Sequence, residues 1–170
     1  MSRPSTTEYA SFFQTYINYT SGKDYEILVK QYHDRIVDSW NAIPLEKVKY
    51  AYGPEKWTIQ QMFQHVIDTE RIFVYRALSF SRKSQNPIQG FDENEYVINS
   101  FAQERSLESL QTEFAVLRNA TDIFFNTLNE TQLHQKGIAN NQNITVKALV
   151  YIAIGHALHH CKILKERYHL

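Results

Sequence analysis

Histidine carries most of the chemistry this sequence can offer. Seven histidines are present, and four of them, His156, His159, His160 and His169, fall in the last fifteen residues. His156 and His160 are four positions apart, so on a helix their side chains stack on one face within reach of a single metal ion. His65, inside a different predicted helix, is placed to supply a third nitrogen from across a helical bundle. Neutral imidazole binds zinc or nickel at about 2.0–2.2 Å without bringing charge into a dry core. Three nitrogens leave at least one coordination position open for water or substrate, as in a catalytic rather than a sealed structural site. The same residues also fit a plainer role as hydrogen-bonded core histidines, and spacing alone leaves both readings open. His159 is rotated by about 60° from His156 and faces another neighbour, beside the site or at the surface. His33, His134 and His169 are expected on a solvated face, in a loop and in the tail.

Carboxylates and sulfur come next. Asp68 and Glu70 lie within about a turn of His65, where either could orient an imidazole or act as a general base. Either could equally be a solvated charge paired with Arg71 or Arg76. Cys161 directly follows His160 and points to another face, which suits a buried inert thiol. As the single cysteine of the chain, it excludes an intrachain disulfide and fits a reducing compartment.

Four amphipathic stretches would position these groups. The first runs from about Asp24, its N-cap, to Ala42, with Leu28, Ile36, Val37 and Trp40 on the apolar side and Pro44 as the stop. The second opens on a capping box, Thr58-Ile-Gln-Gln61, and carries Ile59, Phe63, Val66, Ile67, Phe73 and Ala77 to about Arg82. The third follows Ser106, with Leu107, Leu110, Phe114, Leu117, Thr121, Phe124 and Leu128 in alternating steps of three and four. The fourth opens at Thr145 and turns Leu149, Ile152, His156, His160 and Leu164 toward one side. The aromatic piece from Tyr9 to Tyr19 predicts a short extra N-terminal helix across the bundle. The polar stretch from Ser84 to Glu104 is a long loop between helices two and three, of a size that is often functional or holds a short helix. His134 to Asn143 reads as a turn region, and no segment shows the period-two alternation of a sheet. The expected fold is all-α, a four-helix bundle in a single domain over residues 1–170.

Composition narrows the function classes. Eighteen Lys+Arg balance eighteen Asp+Glu for a net charge of zero, which argues against a nucleic-acid partner. Met1 to Glu8 lacks the apolar run of a secretory signal, and the most apolar stretch, Ala148 to Leu158, is too short to span a bilayer. A cytoplasmic protein without a membrane partner is the expectation.

Several short motifs, taken in order, resemble the DinB/YfiT-like superfamily, whose members are read as metalloenzymes. They are Tyr52-Gly-Pro-Glu-Lys-Trp57-Thr58, His65-Val-Ile-Asp68-Thr-Glu70-Arg71, Ile88-Gln-Gly90-Phe91-Asp92, Ile154-Gly155-His156-Ala-Leu-His159-His160 and Lys165-Glu-Arg167-Tyr168. The resemblance runs from about Ser11 to the end. It implies a four-helix bundle holding a divalent metal, nickel or zinc, on His65, His156 and His160, in a homodimer. Relatives often place an acidic residue straight after the first histidine of the last motif. Ala157 stands there in this chain, which leaves Asp68 and Glu70 as the nearer carboxylates.

Three functions are compatible with that site. The first is a metal-dependent hydrolase of a small-molecule substrate, with Glu70 or Asp68 as base. The second, implied by the resemblance, is a transferase for a low-molecular-weight thiol, where a cationic anchor at the pocket mouth would come from Arg71, Arg76 or Arg118. The third is a non-enzymatic metal-binding protein of a stress response.

Overall fold

The computed structural model describes residues 2–21 and 25–170. In chain order the helices are α1 (Gln14–Asn18), α2 (Tyr25–Asn41), α3 (Ile59–Ser81), α4 (Glu93–Asn99), α5 (Leu107–Asn126), α6 (Glu130–Leu133) and α7 (Val146–Arg167). A hairpin of β1 (Lys136–Ala139) and β2 (Gln142–Thr145) precedes the last helix. The four long helices form a four-helix bundle, packed around a ring in the order α2, α5, α3, α7. Helices joined in sequence, α2 to α3 and α5 to α7, therefore lie across the diagonals, and each needs a long connection. Among the described residues no helix is long and apolar enough to cross a membrane.

Local chemistry sets the helix starts. The Thr58 hydroxyl accepts from the Gln61 amide at 3.2 Å while the Gln61 side chain accepts from the Thr58 amide at 2.9 Å, satisfying two amides that have no partner within the helix. Ser106 and Thr145 cap α5 and α7 in the same way, accepting from the Ser109 and Ala148 amides at 3.1 Å each. Asp24, the expected cap of α2, lies outside the described residues. One face of the core is an aromatic layer in which Trp40 of α2 stacks on Phe63 of α3 and both meet Phe114 of α5.

Two features depart from the sequence pattern. In α5 the buried side moves from Leu107, Leu110 and Phe114 onto Arg118, Asp122 and Phe125, leaving Leu117 and Phe124 only partly buried. A three-and-four alternation has a period of 3.5, whereas a straight helix turns once in 3.6, so the two drift apart by about 20° per heptad. The segment expected to lack strands forms the hairpin, with Lys136 opposite Thr145 and Ala139 opposite Gln142. Asn140 and Asn141 make its turn at φ of 49° and 59°, the left-handed region that asparagine tolerates best after glycine. Neither Lys136-Gly-Ile-Ala139 nor Gln142-Asn-Ile-Thr145 alternates apolar with polar residues, so neither carries the period-two signal. The long loop contains α4, and Ile88 pairs with the hairpin through its amide to Ile138 (2.9 Å) and its carbonyl to Asn140 (3.0 Å).

Helix α7 is buried on nearly every side from Val146 to Leu158, because α1 covers the face that the other long helices leave. Gly155 makes that possible: a Cβ there would stand 2.0 Å from the Tyr16 carbonyl oxygen. The glycine thus brings Tyr16 and Tyr19 against the histidines of α7.

Candidate metal centre

His65 on α3 meets His156 and His160 on α7 where these two helices pack together, and all three side chains are buried. The Nε2 atoms of His65 and His160 each stand 3.2 Å from Nε2 of His156, and one ligand atom from each residue lies within 4.8 Å of the others. Three nitrogens around a tetrahedral ion at roughly 2.0–2.1 Å would stand about 3.3 Å apart. The donor set, its neutrality and its spacing therefore fit a divalent metal. Thr69, one turn after His65, lies 3.4 Å from its Nδ1. A hydrogen bond there from Nδ1–H would leave the Nε2 lone pair facing the other two rings.

Burial keeps these rings uncharged. It lowers His65 from 6.5 to about 4, and it lowers His156 and His160 well below the ordinary histidine value, with repulsion from neighbouring histidines, His159 among them, adding to the effect. At neutral pH all three present lone pairs without first losing a proton. Nδ1 of His160 is buried without a hydrogen-bond partner among the described residues.

The imidazoles open onto a cavity of about 490 Å³, a size suited to a small molecule. Besides the long helices α3 and α7, its walls come from three segments outside the four-helix bundle: Phe12, Phe13 and Tyr16 near the N-terminus, Gly90, Phe91, Glu93 and Asn94 in the long loop, and Ala139, Asn140, Gln142 and Ile144 in the hairpin. The long loop thus borders the site, joined there by a hairpin the sequence did not announce. His159 also lines the cavity. It is half-buried, its Nδ1 lies 3.1 Å from the Tyr19 hydroxyl, and burial lowers its pKa.

Asp68 and Glu70 go elsewhere. Position 70 is about 140° round the helix from position 65, and position 68 about 60° the other way. Glu70 points between α3 and α5, accepting from Arg118 at 3.1 Å and Thr121 at 2.8 Å, and burial raises its pKa against the pull of Arg118. Asp68 accepts from Gln64 at 2.9 Å and lies 3.7 Å from Arg71. Neither of the two carboxylates expected as general base lines the cavity; the oxygens of Glu70 serve α3–α5 packing, and those of Asp68 a hydrogen bond from Gln64 and a partly exposed ion pair. Arg71 pairs with Glu113 and Arg118 with Glu70 and Asp122. His33 is not simply solvated, since its Nδ1 lies 2.6 Å from Asp122. Cys161 is buried, and burial pushes its thiol up to about 11, well away from a reactive thiolate.

Residues 28–164 match the DinB superfamily. No curated protein matches the chain. Among solved structures, YfiT from Bacillus subtilis, described as "a probable metal-dependent hydrolase with an unusual four-helix bundle topology", aligns with a TM-score of 0.67 over 98% of this chain and 93% of its own, at 14% identity. At that identity the likeness is one of fold.

Proposed function

This chain belongs to the DinB superfamily, and from that premise we propose that it is a metal-dependent hydrolase of a small-molecule substrate. The observation that carries the reading is the convergence of three buried, neutral Nε2 atoms at the floor of a cavity. His65, His156 and His160 would hold the ion, and nickel or zinc suits an all-imidazole donor set. The ion supplies Lewis acidity, which polarises a carbonyl and activates a nucleophile. His159 is the base in this reading: it is neutral at pH 7, held by Tyr19, and able to take a proton from the nucleophile and return it to the leaving group. A panel of esters and amides tests the proposal. Turnover is expected to vanish with a chelator, return with nickel or zinc, and fall by roughly 10²–10⁴-fold in His159→Ala with metal content unchanged. Full turnover after chelation contradicts it.

A specific observation also supports the thiol-transferase alternative. Glu93, an exposed residue, is the single carboxylate on the cavity wall among the described residues. A thiol with a pKa of about 8.5 needs less help from a base than water does. Repeating the panel with a low-molecular-weight thiol separates the two. Metal binding without turnover under either condition would point to the non-enzymatic reading. A homodimer belongs to the same proposal, and light scattering at twice the 20.0 kDa of one chain would support it.

A further inference from the structure

Arg76 lines the same cavity as the three imidazoles, yet it is only 4% exposed. It follows His65 on α3 by eleven residues, three turns on and about 20° round, and so shares its helix face with His65, Thr69 and Phe73. Side chains lean toward the N-terminus of their helix, so the long Arg76 chain reaches back toward His65. Its Nη2 donates to the Gln89 carbonyl at 3.2 Å, and its buried Nε has no hydrogen-bond partner among the described residues.

The contrast with the other buried cations is informative. Arg118 is matched by Glu70 and Asp122, and Lys147 by Glu8. Among the described residues no carboxylate lies within 4.0 Å of Arg76. Burial pulls its pKa below the ordinary value with no neighbouring acid pulling back. Buried charges are normally paired, and a guanidinium facing a cavity presents parallel N–H donors that match a planar carboxylate.

We propose that Arg76 anchors a carboxylate of the substrate, so that the cavity takes a carboxylate-bearing molecule with its reacting group at the imidazoles and its acid group at the guanidinium. The proposal rests on the reading of this cavity as a substrate site and adds the class of substrate. A carboxylate is favoured over a phosphate because Arg76 is the one fixed cation on the wall among the described residues. Besides the histidines and the aromatic residues, the other polar side chains on the wall are Thr69, the neutral amides Asn94, Asn140 and Gln142, and the exposed carboxylate Glu93; none adds positive charge, so a phosphate dianion held at Arg76 would keep one charge unmatched.

Binding of hexanoate, hexanamide and hexyl phosphate to the full chain, measured by calorimetry, tests this. Chelator-treated protein comes first, so that no ion competes for the acid group, and zinc-loaded protein second. Hexanoate is expected to bind roughly 30-fold or more tightly than hexanamide. Arg76→Met should erase that preference while leaving hexanamide binding, the circular dichroism spectrum and zinc stoichiometry unchanged. Arg76→Lys, which keeps the charge but not the fork, should retain part of it. Equal binding of acid and amide, an undiminished preference in Arg76→Met, or no hexanoate binding at about 10 mM would overturn the proposal. Tighter binding of hexyl phosphate would overturn the carboxylate assignment. Acid selectivity in a protein that takes up no zinc would instead refute the metal reading and leave Arg76 as the anchor.

Discussion

Gly155→Ala sets two opposing effects against each other, and the structure decides the sign. In an isolated helix, alanine in place of glycine is stabilising by about 1 kcal/mol. In this fold the new Cβ would stand 2.0 Å from the Tyr16 carbonyl oxygen and 2.6 Å from its carbon, where ordinary contact begins near 3.4 Å. The obstructing atoms are backbone, so no rotamer change relieves the clash. Helix α1 must move by more than 1 Å, carrying Phe13 and Tyr16 with it, and overpacking of this kind costs about 3 kcal/mol at the upper end of its usual range. The net effect is a destabilisation of about 2 kcal/mol, a fall of roughly 4–8 °C in Tm for a chain of this length. Tyr16 packs edge-on to both His156 and His159, at ring separations of 5.3 and 5.4 Å, so the shift should also loosen the cavity wall and weaken ligand binding. Thermal unfolding by circular dichroism reads the first effect and calorimetry the second. A rise in Tm would mean that α1 does not dock on α7, which would remove one wall of the proposed site.

Other consequences are independent of that contact. Because the folded-state pKa of His65 is lowered from 6.5 to about 4, metal-free protein should keep its full stability above pH 6.5 and lose it as pH falls toward 4. The loss from His65 alone is about 2–3 kcal/mol at roughly pH 4.5, and unchanged urea midpoints across that window would contradict the burial argument. Arg118→Met strands the buried Glu70 carboxylate and should cost roughly 3–5 kcal/mol in denaturant unfolding; a loss below about 1 kcal/mol would mean the pair is solvated. Thr58→Ala removes half of the α3 capping box and should cost about 1 kcal/mol, read as a drop in the urea midpoint at unchanged slope.

What the sequence disclosed was mostly local. Thr58, Ser106 and Thr145 announce helix starts because a cap is decided within four residues. His156 and His160 are legible as a pair because one helical turn brings them together, and His65 because its helix had already been placed. The misses came from contacts between distant segments. Arg118 and Asp122 look like surface charges until the drift of α5 turns them inward against Glu70 and His33. Glu70 is close to His65 in sequence yet on another flank of α3, a distinction that counting about 100° per residue would have exposed. Among Arg71, Arg76 and Arg118, the eleven-residue step from His65 puts Arg76 on the imidazole face of α3, but its lack of a nearby acid shows only in the folded chain. Thr69 did carry a local signal, lying one turn after His65, and so did the Asn140-Asn141 turn between two isoleucines. The docking of α1 on Gly155 carried none, because it pairs segments about 140 residues apart.

The account stands or falls on the three imidazoles acting as one donor set. Metal content of untagged protein, by mass spectrometry after incubation with zinc or nickel and desalting, tests this most directly. About one ion per chain is expected, lost in His65→Ala, His156→Ala and His160→Ala and retained in His159→Ala and His134→Ala. No bound ion in the wild type, or an ion that persists in His156→Ala, would contradict it.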